Sequence, residues 1–141
     1  IKPVFLDFTK DMAQFTTKNK IPVNYVQNKE NGLFQMYFLW DTGKESNPKL
    51  ALAVSYLDYL GTSDMSAEEI KKEFYKLGCS YSVSVTDDQV YFTLSGLQEN
   101  MVPALKLFEK LLSDAKPDKE IWNDMVQRIL KSRADSKLSK D

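Results

Sequence analysis

The segment Cys79–Val85 alternates between apolar residues and serines over its whole length. A period of two residues is typical of a β-strand that buries one of its faces. Asp87 and Asp88 follow at the position of a polar turn, and the apolar alternation then resumes. The apolar positions are Cys79, Tyr81, Val83 and Val85 before the turn and Val90, Phe92 and Leu94 after it. This pattern predicts an antiparallel hairpin whose apolar face must be covered by other elements.

Helical spacing occurs on both sides of this hairpin. Before it, Ser66 and Glu69 form a capping box, and Gly78 occupies a position that favours a helix end. The predicted apolar stripes are Leu50, Val54, Leu57 and Gly61; Ile70, Phe74 and Leu77; Met101, Leu105, Phe108 and Leu112; and Ile121, Met125 and Ile129. Their spacing of three or four residues predicts four amphipathic helices, of which the first opens near Pro48 and the last near Pro117.

The N-terminal part of the chain is predicted to form strands. Residues 3–8 are short and strand-like, residues 23–26 form a second strand, and residues 28–32 have the composition of a hairpin loop. Leu33–Trp40 is apolar at nearly every position, which predicts a central strand covered on both faces. The main order, strand–strand–helix–helix–strand–strand–helix–helix, predicts an α+β fold. We expect a two-layer sandwich with helices covering a largely antiparallel sheet, formed by one domain at residues 1–141.

The chain contains no histidine, which excludes catalysis that depends on an imidazole. Its single cysteine, Cys79, lies on the apolar side of the alternating strand, so we expect a packed and unreactive thiol. The net charge of −1 argues against nucleic acid as a partner, since binding to phosphates requires a concentrated basic surface. No apolar run approaches the roughly 20 residues that span a bilayer, so no membrane span is expected.

Residues 52–62, Leu-Ala-Val-Ser-Tyr-Leu-Asp-Tyr-Leu-Gly-Thr, resemble the inverted zinc-binding helix of the insulinase/pitrilysin family of peptidases. That family carries His-x-x-Glu-His on this helix, often followed by Gly-Thr. Ser55 occupies the first His position, Asp58 the Glu position and Tyr59 the second His position. The strand pair after Gly78 and the helix that follows it are similar to the family's next elements, so the resemblance covers roughly residues 20–135. It implies a zinc-peptidase, or processing-peptidase-like, domain.

The same positions depart from the chemistry of the family. A serine hydroxyl and a phenol are poor zinc ligands at neutral pH, and Asp58 has no metal-bound water to activate. Near the place of the family's later carboxylate ligand stand Lys131, Ser132, Arg133 and Asp135. We therefore expect no metal and no cofactor in this chain; zinc, where the parent protein binds it, lies elsewhere. An ordinary solvated helix face is the simplest interpretation of Ser55, Asp58 and Tyr59.

The resemblance implies a non-catalytic domain of a larger metallopeptidase, serving as a wall of its substrate chamber or as a scaffold. The expected partners are other modules of the same protein. In active relatives the strand after the zinc helix can accept an extended peptide along its free edge. The corresponding residues here are Tyr81, Ser82, Val83, Ser84 and Val85. We also expect the chain to self-associate, because uncovered apolar strands form interaction surfaces.

Two alternatives remain open. The chain would otherwise be a stand-alone protein- or peptide-binding α+β module unrelated to proteolysis, or an enzyme that uses carboxylates alone, with Asp58 or Asp7 as acid or base. No second carboxylate pairs convincingly with Asp58 in the sequence. The aromatic residues give a further choice, between core positions and a surface that covers a neighbouring domain. They are Phe34, Tyr37, Phe38, Trp40 and Trp122, and we assign them to the core.

Overall fold

The computed structural model describes Phe5 and residues 7–138, and it divides the chain into two compact units, Ile1–Leu33 and Phe34–Asp141. The elements are β1 (Met12–Thr16), β2 (Pro22–Val26), β3 (Leu33–Trp40), α1 (Leu50–Leu57), α2 (Ala67–Lys76), β4 (Cys79–Val85), β5 (Val90–Leu97), α3 (Met101–Asp114) and α4 (Lys119–Leu138). Helices and antiparallel strands confirm the predicted α+β class. Among these helices, none is long and apolar enough to cross a membrane. The single domain expected at residues 1–141 stays a prediction.

The first unit is built on a two-stranded antiparallel sheet. β1 pairs with β2 in a register that places Met12 opposite Val26 and Thr16 opposite Pro22. Strand β1 is absent from the sequence prediction, and the predicted hairpin loop at residues 28–32 is wrong, because β2 turns back onto β1 and not onto β3. The strand predicted at residues 3–8 lies mostly outside the described residues, and its described end contains a turn.

The second unit contains a three-stranded sheet in the order β3–β5–β4. The predicted hairpin of β4 and β5 is confirmed, with Cys79 opposite Gly96 and Val85 opposite Val90. Gly96 has a φ of +150°, and a Cβ atom there would lie 2.4 Å from the Gly78 carbonyl oxygen. The two strands therefore approach closely at a position where only glycine fits.

The core lies between this sheet and helices α2 and α3. The apolar sides of β4 and β5 face the helices, and four aromatic rings form the centre of the contact. The ring of Tyr81 lies 4.8 Å from Phe74 and 5.3 Å from Phe108, and Phe92 lies 6.2 Å from Phe108, measured between centroids. The buried residues around them are Ile70, Cys79, Leu94, Ala104 and Leu111. Burial of these side chains is the main favourable contribution to folding.

The predicted ends of α2 are also confirmed. The Ser66 hydroxyl accepts the backbone N–H of Glu69, and the Glu69 carboxylate accepts the backbone N–H of Ser66 at 2.7 Å. Gly78 follows the C-cap with a φ of +59°, a conformation that favours glycine. The helix therefore begins and ends where the capping signals place it.

The position of β3 corrects the prediction of a central strand. β3 lies at the edge of the sheet, and β5 is the central strand. Phe34 and Met36 pack against the core, but the side chains after them are largely exposed. The exposed fractions are 56% for Tyr37, 41% for Phe38, 60% for Leu39 and 56% for Trp40. The assignment of Tyr37, Phe38 and Trp40 to the core is therefore wrong, because these side chains lie on an edge strand and stay largely exposed.

Replacing Phe108 with alanine should lower the free energy of unfolding by about 3–5 kcal/mol, because it removes a buried ring and leaves a cavity. Phe108 is 1% exposed, whereas Val102 on the same helix is 56% exposed. The matched control Val102→Ala should therefore change the free energy of unfolding by no more than about 0.5 kcal/mol. Urea denaturation followed by circular dichroism measures both values. A loss for Phe108→Ala as small as that of the control would contradict a core centred on α3.

Candidate functional site

The three motif positions lie at the C-terminal end of α1. Ser55 is in the last turn of the helix, Asp58 is its C-cap, and Tyr59 is in the turn that follows. The helix ends at Leu57, whereas the predicted stripe continues to Gly61. All three side chains are exposed. The Ser55 hydroxyl donates a 2.9 Å hydrogen bond to a carbonyl oxygen one turn earlier in the same helix.

Helix α1 packs against strand β4, so the motif positions and the candidate peptide edge lie in one region. Leu57 contacts the hydrophobic core, which fixes the end of the helix beside the strand. Burial, together with the negative charge of Asp58, raises the pKa of Tyr81 to about 12. Tyr81 therefore keeps its proton at neutral pH and acts as a neutral hydroxyl on the core side of the strand.

Helix α4 contacts α1 and the turn after it through aromatic side chains. The guanidinium carbon of Arg128 lies 5.7 Å from the centre of the Tyr59 ring, a cation–π distance. The rings of Tyr56 and Trp122 meet edge to face at 5.1 Å. The Tyr56 hydroxyl accepts the Asp118 N–H at 2.6 Å and donates to the Asp118 carbonyl oxygen. Tyr59, which the resemblance aligns with the second His position, thus holds a cationic side chain against its ring.

This contact is absent from the sequence prediction. The sequence pattern placed Trp122 in the core without a partner, and the structure places that ring half-buried against Tyr56. Tyr56 and Asp118 are 62 positions apart, so no local spacing links them. The aromatic residues themselves were the available sign of this contact. A single sequence does not show which aromatic residues contact each other.

The loop after α1 is held to the end of α3 by ion pairs. Lys110 pairs with Asp64, and Lys116 pairs with Asp114 at 2.8 Å. Asp114 also accepts hydrogen bonds from the hydroxyl and the backbone N–H of Ser63, the latter at 2.9 Å. The bonds from Lys116 and Ser63 hold the pKa of the Asp114 carboxyl well below its usual range. Lys110 lowers the pKa of Asp64 in the same way.

Because the folded state lowers the pKa of Asp114, its contribution to stability is complete above the unfolded pKa near 3.8 and is lost as the pH falls towards the folded pKa. Asp114→Asn should therefore lower the thermal midpoint at about pH 6 and make the acid-induced decrease less steep. Asp124→Asn, at an exposed position of α4, is the matched control and should follow the unmodified chain. An unchanged acid dependence in Asp114→Asn would contradict this account.

Strand β4 is the last strand of its sheet. Within the residues that the structure describes, it pairs with β5 on one side and with no strand on the other. The candidate edge residues keep the predicted alternation, with Tyr81, Val83 and Val85 half-buried and Ser82 and Ser84 exposed. None of the five is charged. This edge therefore has no partner strand among the described residues and lacks the charged side chains that commonly block such edges.

The remaining candidate groups are suited to structural roles. The described residues contain no group of three His, Cys, Asp or Glu side chains that could hold a metal ion. The Cys79 thiol is buried in the core, and burial raises its pKa. The Asp7 carboxylate accepts hydrogen bonds from Thr9 and Lys10, which lower its pKa and favour the charged form. Lys131, Ser132, Arg133 and Asp135 are exposed on α4.

Comparison with known proteins gives no match to a protein family model and none among curated proteins. Solved structures share the fold. A peptidase M16 inactive domain from Pseudomonas fluorescens has a TM-score of 0.71 and 20% identity over 86% of this chain. The periplasmic protease PqqL from Escherichia coli has a TM-score of 0.74 and 16% identity over 94%. A mutant of the ferredoxin protease FusC, in complex with Arabidopsis ferredoxin, has a TM-score of 0.79 and 15% identity over 98%.

These matches define the class of the fold. The chain spans 30% of the length of the Pseudomonas protein and 16% of each of the other two. It has the fold of part of an M16 peptidase, which confirms the fold that the resemblance to the insulinase/pitrilysin family implied. One of the structures that share this fold is itself a peptidase M16 inactive domain.

The purified chain should hold no stoichiometric zinc after dialysis. It has no imidazole, and its one thiolate cannot bind the ion tightly alone. Elemental analysis measures the zinc content, and Asp58→Ala should leave it unchanged. For the same reason the chain should not cleave peptides. Hydrolysis that a chelator inhibits and that Asp58→Ala abolishes would show a working metal site.

Proposed function

We propose that this chain is a non-catalytic peptidase-like module of a larger protein, where it forms part of a substrate-chamber wall or a scaffold. The observation that carries the proposal is the position of α1 beside the edge strand β4, with Ser55, Asp58 and Tyr59 at the motif positions. Position 59 holds Arg128 through its ring, so the side chain contributes to packing and not to metal binding. The arrangement supports a module that has kept its architecture while losing its chemistry.

We further propose that the free edge of β4 accepts an extended peptide. A peptide strand gains affinity from main-chain hydrogen bonds when it adds to a sheet edge. The residues concerned are Tyr81, Ser82, Val83, Ser84 and Val85, whose side chains are uncharged and either small or half-buried. Packing of Tyr81 between Phe74 and Phe108 holds this strand rigid, which reduces the entropy lost on binding.

The proposed partners within a larger protein are further modules of the same chain. The solved structures that share the fold are several times longer than this chain, which spans 16–30% of them. The exposed aromatic residues of β3 fit a surface that packs against another folded unit. A wall or scaffold module needs such a surface in addition to its peptide edge.

Addition of an unfolded, uncharged peptide should shift the backbone amide resonances of residues 81–85 more than those of the rest of the chain. The expected affinity is weak, with a Kd on the order of 0.1–1 mM, because one strand edge offers few contacts. Heteronuclear NMR titration measures the shifts and their saturation. The matched control is the same peptide with N-methylated backbone amides, which cannot donate to the strand and should cause no saturating shift.

Two outcomes would contradict the peptide edge. Shifts that cluster elsewhere and leave residues 81–85 unchanged would place peptide binding on another surface. Equal binding of the N-methylated control would show that the contact uses side chains alone. If the methylated peptide shifts the amide resonances of another segment, those residues form the surface that it contacts.

A further inference from the structure

Asn31 and Gly32 lie in the short segment that precedes β3. Asn31 is the only asparagine in the chain that is followed by glycine. Gly32 has no side chain, and a Cβ atom built at this position would meet nothing within 4 Å. The Gly32 nitrogen therefore meets no steric obstacle from its own residue when it approaches the Asn31 side chain. Both residues are exposed, so water reaches them.

Two hydrogen-bond donors hold the carboxamide oxygen of Asn31. This oxygen, Oδ1, accepts the Asn28 Nδ2–H at 2.7 Å and the backbone N–H of Leu33 at 3.1 Å. Asn28 is itself held in place, since its Nδ2 donates to the Leu33 carbonyl oxygen at 2.8 Å and its Oδ1 accepts the Glu30 N–H at 3.0 Å. Fixed donors at such distances stabilise the negative charge that develops on a carbonyl oxygen when its carbon is attacked.

We propose that Asn31 is a site of spontaneous deamidation, for which the Asn28 amide and the Leu33 N–H form an oxyanion hole. The Gly32 nitrogen loses its proton to a base in the solvent and bonds to the Asn31 Cγ, which closes a cyclic imide. The bond between Cγ and Nδ2 breaks, and the nitrogen leaves as ammonia with a proton taken from water. Water then adds to one of the two imide carbonyl carbons, and the ring opens to aspartate or to isoaspartate. Water is the only further reactant.

The two products differ in their effect on the start of β3, which begins at Leu33. Aspartate keeps an oxygen acceptor at the Oδ1 position, so it adds a negative charge without removing the acceptor of Asn28 and Leu33. Isoaspartate directs the main chain through the former side-chain carbons, which lengthens the backbone immediately before the strand. The isoaspartate form should therefore lose hydrogen-exchange protection at the first amides of β3, whereas the aspartate form should keep it.

Incubation of the purified chain at mildly alkaline pH tests the site. Peptide mapping by liquid chromatography and mass spectrometry separates and quantifies the asparagine, aspartate and isoaspartate forms. Asn31 should convert several-fold faster than Asn123, an exposed asparagine of α4 that is followed by Asp124. Gly32→Ala should slow the conversion several-fold, and its fold should persist because the added Cβ has open space. Equal rates at Asn31 and Asn123, or no effect of Gly32→Ala, would overturn the proposal.

Asn28→Asp tests the oxyanion hole. This variant keeps the acceptor of the Glu30 N–H but replaces the donor to Asn31 with a negatively charged oxygen, so conversion should slow by about two- to tenfold. The matched control is Gln27→Glu, which adds the same charge at an exposed neighbouring position and should convert at the rate of the unmodified chain. Circular dichroism verifies that both variants fold. An unchanged or faster conversion in Asn28→Asp, or equal slowing in Gln27→Glu, would overturn the proposed oxyanion hole.

Discussion

Four aromatic rings join the two layers of the second unit, and the remaining features depend on where they hold the strands. Phe108 of α3 contacts Tyr81 of β4 and Phe92 of β5, while Phe74 of α2 reaches Tyr81 from the other helix. Tyr81 is thus fixed from two sides, although it belongs to the outermost strand. Tyr81 therefore ties the edge strand β4 to the core.

The elements that the sequence predicted well are those specified by local signals. The capping box at Ser66, the glycine at Gly78 and the alternation of Cys79–Val85 each act within a few residues, and the structure contains all three as expected. The hairpin of β4 and β5 follows because its turn is short and polar. Helices α1 and α4 begin at Leu50 and Lys119, each two residues after the proline that the sequence placed at its start.

The errors in the predicted fold concern contacts between residues that are far apart in the sequence. An apolar run shows that a strand avoids water but does not show what covers it, and Leu33–Trp40 was predicted to be central for that reason. In the structure the helices contact β4 and β5, and β3 is an edge strand whose last four side chains are largely exposed. Strand β1 was missed because Gln14 and Thr16 give it a polar side and only Phe15 is a strong apolar signal. The composition of residues 28–32 suggested a hairpin with the following strand and did not indicate that β2 pairs with β1.

In α1, the contacts that pack the helix can be considered separately from the requirements of metal binding. Zinc binding depends on individual ligand atoms, so exchanging two imidazoles for a hydroxyl and a phenol removes it at once. Packing tolerates such exchanges, provided that volume and the apolar side are kept. In α1 and the turn after it, Leu57 reaches the core, Tyr56 meets α4, and Tyr59 contacts Arg128. These contacts hold the end of α1 in place, and none of them requires a metal ion.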